Sequence, residues 1–260
     1  MSAASKKNDS FLNFIESGKG KLSLVFLHYF GGSSITWEQV TDELNEDFHC
    51  IAIDLPGFGA SQSSDDKLSV SDIRESVVEV IESLQLENYV LIGHSMGGKI
   101  ALSLASHKSF GLKKLLLFAP SPPTPEPMTE KEQEQLLRAY NNRSALINNI
   151  NNITHQPLAD FDINNLVNDN LRASEIAWTS WIECGSKEDI SAEMCNIAVP
   201  VLVINGQFDK NLSGKFLRNK FLTYFPFADF HEIREAGHLL PIEAPLAVVK
   251  LIREAVKSEG

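Results

Sequence analysis

Positive charge is what this chain is short of. Lys and Arg number 23 against 34 Asp and Glu, a formal net charge of −11 over 260 residues. Nucleic acids and anionic lipid surfaces are bound through clustered Lys and Arg, so neither is expected as a partner. Long apolar runs are missing too, since none approaches the roughly 20 residues that cross a bilayer. The start, MSAASKKNDS, has no apolar stretch behind its lysines, and a secretory leader needs one. Cys50, Cys184 and Cys195 are an odd number without C-x-x-C spacing. A reduced, cytoplasmic protein is the expectation. Cys50, inside HCIAIDL, reads as a small buried hydrophobe, and nothing local supports a catalytic thiol.

Signatures for bound groups are also absent. His49, His107, His155 and His231 have no metal-ligand spacing around them, so no metal is expected. No G-x-x-x-x-G-K-[ST] loop occurs and no G-x-G-x-x-G opens the first helix, so no nucleotide or other cofactor is expected. Internal repeats and low-complexity tracts are missing as well.

What is present is a rhythm. Short apolar runs recur at 22–27 (LSLVFL), 50–53 (CIAI), 89–92 (YVLI), 115–118 (LLLF) and 201–204 (VLVI). They do not alternate with polar residues, which is how strands buried on both faces of a parallel sheet read. Between them lie helical patterns. At 70–86, Val70, Ile73, Val77, Val80, Ile81 and Leu84 share one face, with Ser69 or Ser71 as N-cap. A closing helix is expected from Pro241. Strands alternating with helices imply an α/β fold, a mostly parallel central sheet flanked by helices.

The segment 121–185 breaks this rhythm. It opens on SPPTPEP, which can neither continue a strand nor sit deep in a helix. A helical stretch follows with Thr129 and Glu132 in capping-box spacing. Asn141, Asn142, Asn148, Asn149, Asn151 and Asn152 then suggest short broken helices. The apolar content around Ile176, Trp178, Trp181 and Ile182 argues against disorder. The expectation is a core built from 1–120 and 186–260 with a helical lid inserted at 121–185.

The chemistry is concentrated in YVLIGHSMGGKI at 89–100, where a buried strand runs into G-x-S-x-G and a helical pattern leaves it. That context suits a nucleophilic serine, Ser95, on a sharp strained turn whose following helix points its N-terminus at the reaction centre. Three further segments fall in order along the chain: LHYFGG at 27–32, DLPGFGAS at 54–61, and the pair VPVLVINGQFD at 199–209 with FHEIREAGH at 230–238.

Together these segments resemble the α/β-hydrolase family, in particular its small lidded esterases, lactonases and cofactor-free perhydrolases. The resemblance implies Ser95 as nucleophile, His238 as general base and acid, and Asp209 as the residue orienting it, in the chain order this fold uses. It also implies an oxyanion hole from the backbone N–H groups of Phe30 and Met96. Asp54 is expected to order backbone donors, His28 to order the oxyanion loop, and His94 to pack within the elbow. A serine at 95 argues against dehalogenase or epoxide hydrolase chemistry, which uses an Asp there.

One residue departs from the family pattern: Tyr29 stands where Gly usually follows the loop histidine. Either the loop is differently shaped, or Tyr29 reaches into the pocket and donates through its hydroxyl. The expected activity is hydrolysis of a small carboxylic ester or lactone through an acyl-enzyme. Trp178, Trp181, Phe161 and Leu136 are candidate walls of an apolar pocket under the lid. Perhydrolysis, thioester or C–C bond hydrolysis would use the same residues, and a slow-turnover receptor of the same fold is a further alternative. The expected partner is a small ester-like molecule, with oligomeric state left open.

Overall fold

The computed structural model describes residues 12–64, 66–107 and 110–257. The polar start MSAASKKNDS and the outer limits of the expected core lie outside the described residues. Among those residues the chain runs β1 (Phe14–Ser17), β2 (Ser23–Leu27), α1 (Glu38–Leu44), β3 (His49–Ile53), α2 (Val70–Ser83), β4 (Tyr89–His94), α3 (Met96–Ser106) and β5 (Leu112–Phe118). Then come α4 (Glu130–Ala139), α5 (Arg143–Ile153), α6 (Asp160–Arg172) and α7 (Glu175–Glu183), with no strand among them. The sheet resumes with β6 (Val201–Gly206), α8 (Gly214–Tyr224) and β7 (Asp229–Ile233), and the chain closes on α9 (Leu240–Glu243) and α10 (Pro245–Lys257).

The strands form one seven-stranded sheet in the order β1-β3-β2-β4-β5-β6-β7. Only β1, paired with β3, is antiparallel. Side chains along a strand alternate between faces, which explains the unbroken apolar runs. Val25, Leu27, Leu91, Leu115 and Leu117 pack toward α2, α3 and the inserted helices. Leu24, Phe26, Val90, Ile92 and Phe118 pack toward α1 and α10 on the other side. Strand order reverses between β2 and β4, and ligands of open parallel sheets gather at the carboxyl ends of strands beside such a point.

Local chemistry sets the helix ends. Ser69, not Ser71, caps α2: its hydroxyl accepts the N–H of Asp72, and the Asp72 carboxylate accepts the N–H of Ser69. Thr129 and Glu132 make the same reciprocal pair at α4. The asparagines behave differently from expectation. Asn142 does cap α5, but Asn148, Asn149, Asn151 and Asn152 lie inside that helix. Three of them are exposed, where a side chain facing water does not compete with the backbone ladder. The closing helix is also split. Ala244 leaves the helical region ahead of Pro245, because a proline cannot donate to the preceding turn and disfavours helical geometry in the residue before it.

Candidate active site

The site is built at the carboxyl edge of the sheet. β4 delivers Ser95, β6 delivers Asp209 through a short turn, β7 delivers His238, and β2 leads into the loop with Tyr29 and Phe30. Ser95 joins β4 directly to α3 with φ 51° and ψ −116°. A side-chain-bearing residue held there carries on the order of 1–3 kcal/mol of strain, so its surroundings must over-determine it. They do so through three bonds: the Ser95 N–H donates to Phe118 O at 3.0 Å, and Ser95 O accepts from Gly98 N at 2.8 Å and Ser121 N at 2.9 Å. The glycines of the turn are required by close approach. A Cβ on Gly97 would lie 2.6 Å from Leu27 O, and one on Gly93 would lie 2.5 Å from Gly97 O.

Ser95, His238 and Asp209 meet in one line. His238 Nε2 lies 2.9 Å from Ser95 Oγ, and His238 Nδ1 lies 2.7 Å from Asp209 Oδ2. The second Asp209 oxygen accepts the N–H groups of Asn211 at 2.8 Å and Leu212 at 3.0 Å. These bonds set the neutral tautomer, with the proton on Nδ1 and Nε2 facing the serine. Burial pulls the imidazole of His238 down, but the Asp209 charge and hydrogen bond outweigh it and hold it above the ordinary value of 6.5. Burial pushes the Asp209 carboxyl up, while His238 and the two N–H donors hold it below the usual carboxylate range. His94, wholly buried, donates from Nε2 to His238 O at 2.8 Å.

The loop after β2 is ordered from behind. His28 Nδ1 donates to Tyr29 O at 2.7 Å, and its Nε2 accepts the Leu55 N–H at 3.0 Å. Asp54 accepts from Asn13 Nδ2, Ser34 N and Ala60 N. Among the described residues, the N–H groups of Phe30 and Met96 make none of the loop and cap hydrogen bonds that occupy Gly32, Gly97 and Gly98. Met96 N also belongs to the first turn of α3, where N–H groups have no partner within the helix.

Several expected site residues lie elsewhere. Tyr29 does not reach the cavity beside Ser95: its ring is 4% exposed and packs against His94, and Asn170 Nδ2 donates toward its hydroxyl at 3.5 Å. The positive φ is taken by Gly31, at 84°, so the loop accommodates a tyrosine two residues earlier. Trp178 is 1% exposed, donates from Nε1 to Leu136 O at 2.9 Å and packs on Phe30. Trp181 is 4% exposed and lies against Gly185. Large rings gain most where they are fully enclosed, and a buried indole N–H needs a partner. These aromatics therefore form the core of the inserted helices and not a cavity wall. Phe161, 73% exposed, faces another surface.

The cavity holding Ser95 and His238 has a volume of about 390 Å³. Of the expected wall residues it keeps Leu136. The rest of the lining is largely polar, with Glu126, Glu132, Gln135, Asn149, Asn152, Lys210 and Asn211 set among Met128, Ile153 and Leu212. An apolar pocket is thus not what the inserted segment builds. Asn211 was within reach of sequence reasoning, two residues past Asp209. The others carry no motif. Among the described residues, no group of three His, Cys, Asp or Glu side chains could hold a metal ion, and no helix is long and apolar enough to cross a membrane.

Residues 23–162 match the family model described as alpha/beta hydrolase fold. The chain belongs to that family. A Bacillus subtilis (strain 168) protein named uncharacterized hydrolase YugF is 26% identical over 249 residues, covering 92% of this chain and 91% of that protein. Among solved structures, the esterase EaEST from Exiguobacterium antarcticum superposes with a TM-score of 0.87 at 22% identity, covering 95% of both chains. The enol-lactonase from Burkholderia xenovorans LB400 gives a TM-score of 0.82 at 19% identity, covering 95% of this chain and 96% of that one. At these identities the structural likeness speaks for the fold alone.

Proposed function

We propose that this protein is a serine hydrolase that cleaves a small carboxylic ester or lactone through an acyl-enzyme. The observation that carries the reading is the line Asp209–His238–Ser95, with contacts of 2.7 and 2.9 Å, ending on a serine in strained backbone at the floor of a cavity. Ser95 Oγ attacks the acyl carbon while His238 Nε2 takes its proton, and Asp209 stabilises the imidazolium. The tetrahedral oxyanion is received by the N–H groups of Phe30 and Met96. On collapse the C–O bond breaks, and the alkoxide leaves with the proton from His238. Water, deprotonated by His238, then attacks the acyl carbon and releases the acid with Ser95 restored.

The segment 121–185 acts as the lid and supplies most of the cavity wall. That wall favours a short acyl group and polar substituents over a long alkyl chain, because burying unpaired amides and carboxylates against hydrocarbon is unfavourable. The three cysteines, all free, fit a reducing cytoplasmic setting.

Hydrolysis of p-nitrophenyl esters from acetate to octanoate, run beside Ser95→Ala, tests this. Turnover should vanish in the variant and be fastest with the shortest acyl groups. It should rise with pH through a midpoint above 6.5, since His238 must be neutral to act as base and its charged form is favoured. No turnover from a folded protein whose Ser95 still reacts with a fluorophosphonate would count against an ester hydrolase. An optimum at octanoate would contradict the polar-wall reading.

A further inference from the structure

The stretch Gly237, His238 and Leu239 has no N–H to spare. His238 N donates to Ile153 O, the last residue of α5, at 2.8 Å. The two flanking N–H groups both go to Glu243, the last residue of α9. Gly237 N donates to its Oε2 at 2.9 Å and Leu239 N to its Oε1 at 2.9 Å. Glu243 Oε2 takes a further bond at 2.7 Å from His155 N, just beyond α5. One carboxylate therefore touches the backbone on both sides of the histidine and the chain leaving the helix that lines the cavity. The approach is close, since a Cβ on Gly237 would lie 2.7 Å from both His155 N and Ile153 O.

We propose that Glu243 is a positioning residue: its carboxylate braces the backbone around His238 and fastens it to the end of α5, setting the imidazole against Ser95. This rests on the reading of Ser95, His238 and Asp209 as a catalytic triad. Three backbone N–H groups converge on one side chain, and only an ionised carboxylate offers enough acceptor positions on both oxygens. Hydrogen bonds to a charged acceptor are about twice as strong as neutral ones. A glutamine would keep one carbonyl oxygen and turn its NH2 toward a donor, which loses one arm of the brace. An imidazole freed to move by about 1 Å can lose on the order of 100-fold in rate.

Glu243 also acts through its charge. The groups facing His238 are Asp209 after β6, Glu126 after β5, His94 on β4 and Glu243 on α9. Burial lowers the imidazole pKa, and Asp209, then Glu126, then Glu243 raise it. His155, beside Glu243, has its Nε2 at 3.6 Å from Glu235. Removing the negative charge at 243 should therefore move the acid limb of the activity profile to lower pH. A carboxylate that only capped α9 would affect melting and leave that limb in place.

The test compares the full chain with Glu243→Gln, Glu243→Ala and Ser95→Ala. Melting temperature, the rate of fluorophosphonate labelling at Ser95, and kcat and KM for p-nitrophenyl acetate are measured from about pH 5 to 9. In folded Glu243→Gln, kcat and labelling rate should fall about tenfold to 100-fold with KM changed less than about twofold. Its acid limb should shift to lower pH. Should Glu243→Ala fail to fold, Glu243→Gln carries the test, because it keeps the side chain's shape. A folded Glu243→Gln with wild-type labelling rate and acid limb overturns the proposal while leaving the triad standing. Absence of labelling at Ser95 in the unaltered protein overturns the triad reading, and the brace with it.

Discussion

The elbow and the inserted helices sit on opposite sides of the same cavity and are specified in opposite ways. Every residue of β4 and of α3 is buried. In that stretch Gly93 and Gly97 stand where any side chain would strike backbone, and Ser95 occupies a conformation most residues avoid. Across the cavity, α4 buries only Ala139, and α5 only Leu146 and Ile150. Its wall residues Gln135, Asn149 and Asn152 answer to no backbone constraint. The proposed nucleophile is thus held where substitution is costly, and the cavity wall opposite it where substitution is cheap. On the proposed function, such a division would let substrate preference change without disturbing the triad.

Substitutions on the elbow side should do the most damage. His238→Ala should lower kcat on any accepted ester by about 10⁴ or more. Near wild-type steady-state rates in a folded variant would place the base elsewhere. Gly97→Ala should come next, costing about 1–3 kcal/mol in a urea titration, because the new methyl group meets Leu27 O at 2.6 Å and the strand–helix junction must shift. Unchanged stability would mean that the junction is looser than its geometry implies. The smallest effect belongs to the insert. Asn149→Leu should leave melting within about 0.5 kcal/mol of wild type. It should also move acyl-chain preference toward longer esters by about 1 kcal/mol, roughly fivefold. A large loss of stability in that variant would erase the distinction between the two regions.

The same division explains what the sequence discloses. The buried strands announce themselves as unbroken apolar runs because a parallel sheet covered on both faces excludes polar residues from both. The sharp turn at Ser95 is legible because G-x-S-x-G falls between a strand-like run and a helical pattern. The approach of Asp209 and His238 to Ser95 is legible because each follows a strand-like run. β1, a four-residue edge strand reading FIES, leaves too little pattern to see. Tyr29, Trp178 and Trp181 mislead because an aromatic ring satisfies a helix core and a pocket wall equally well on paper. The core claims it when its polar atom finds a partner, as the Trp178 indole does on Leu136 O. Glu243 is invisible for another reason: nothing in hydrophobic periodicity distinguishes a carboxylate turned back on a loop from one facing water.

Whether Ser95 is the nucleophile activated by His238 is best decided by fluorophosphonate labelling followed by mass mapping of the modified peptide. A single adduct is expected on Ser95, absent in Ser95→Ala and formed far more slowly in His238→Ala. An adduct on another residue, or undiminished labelling in Ser95→Ala, would contradict it.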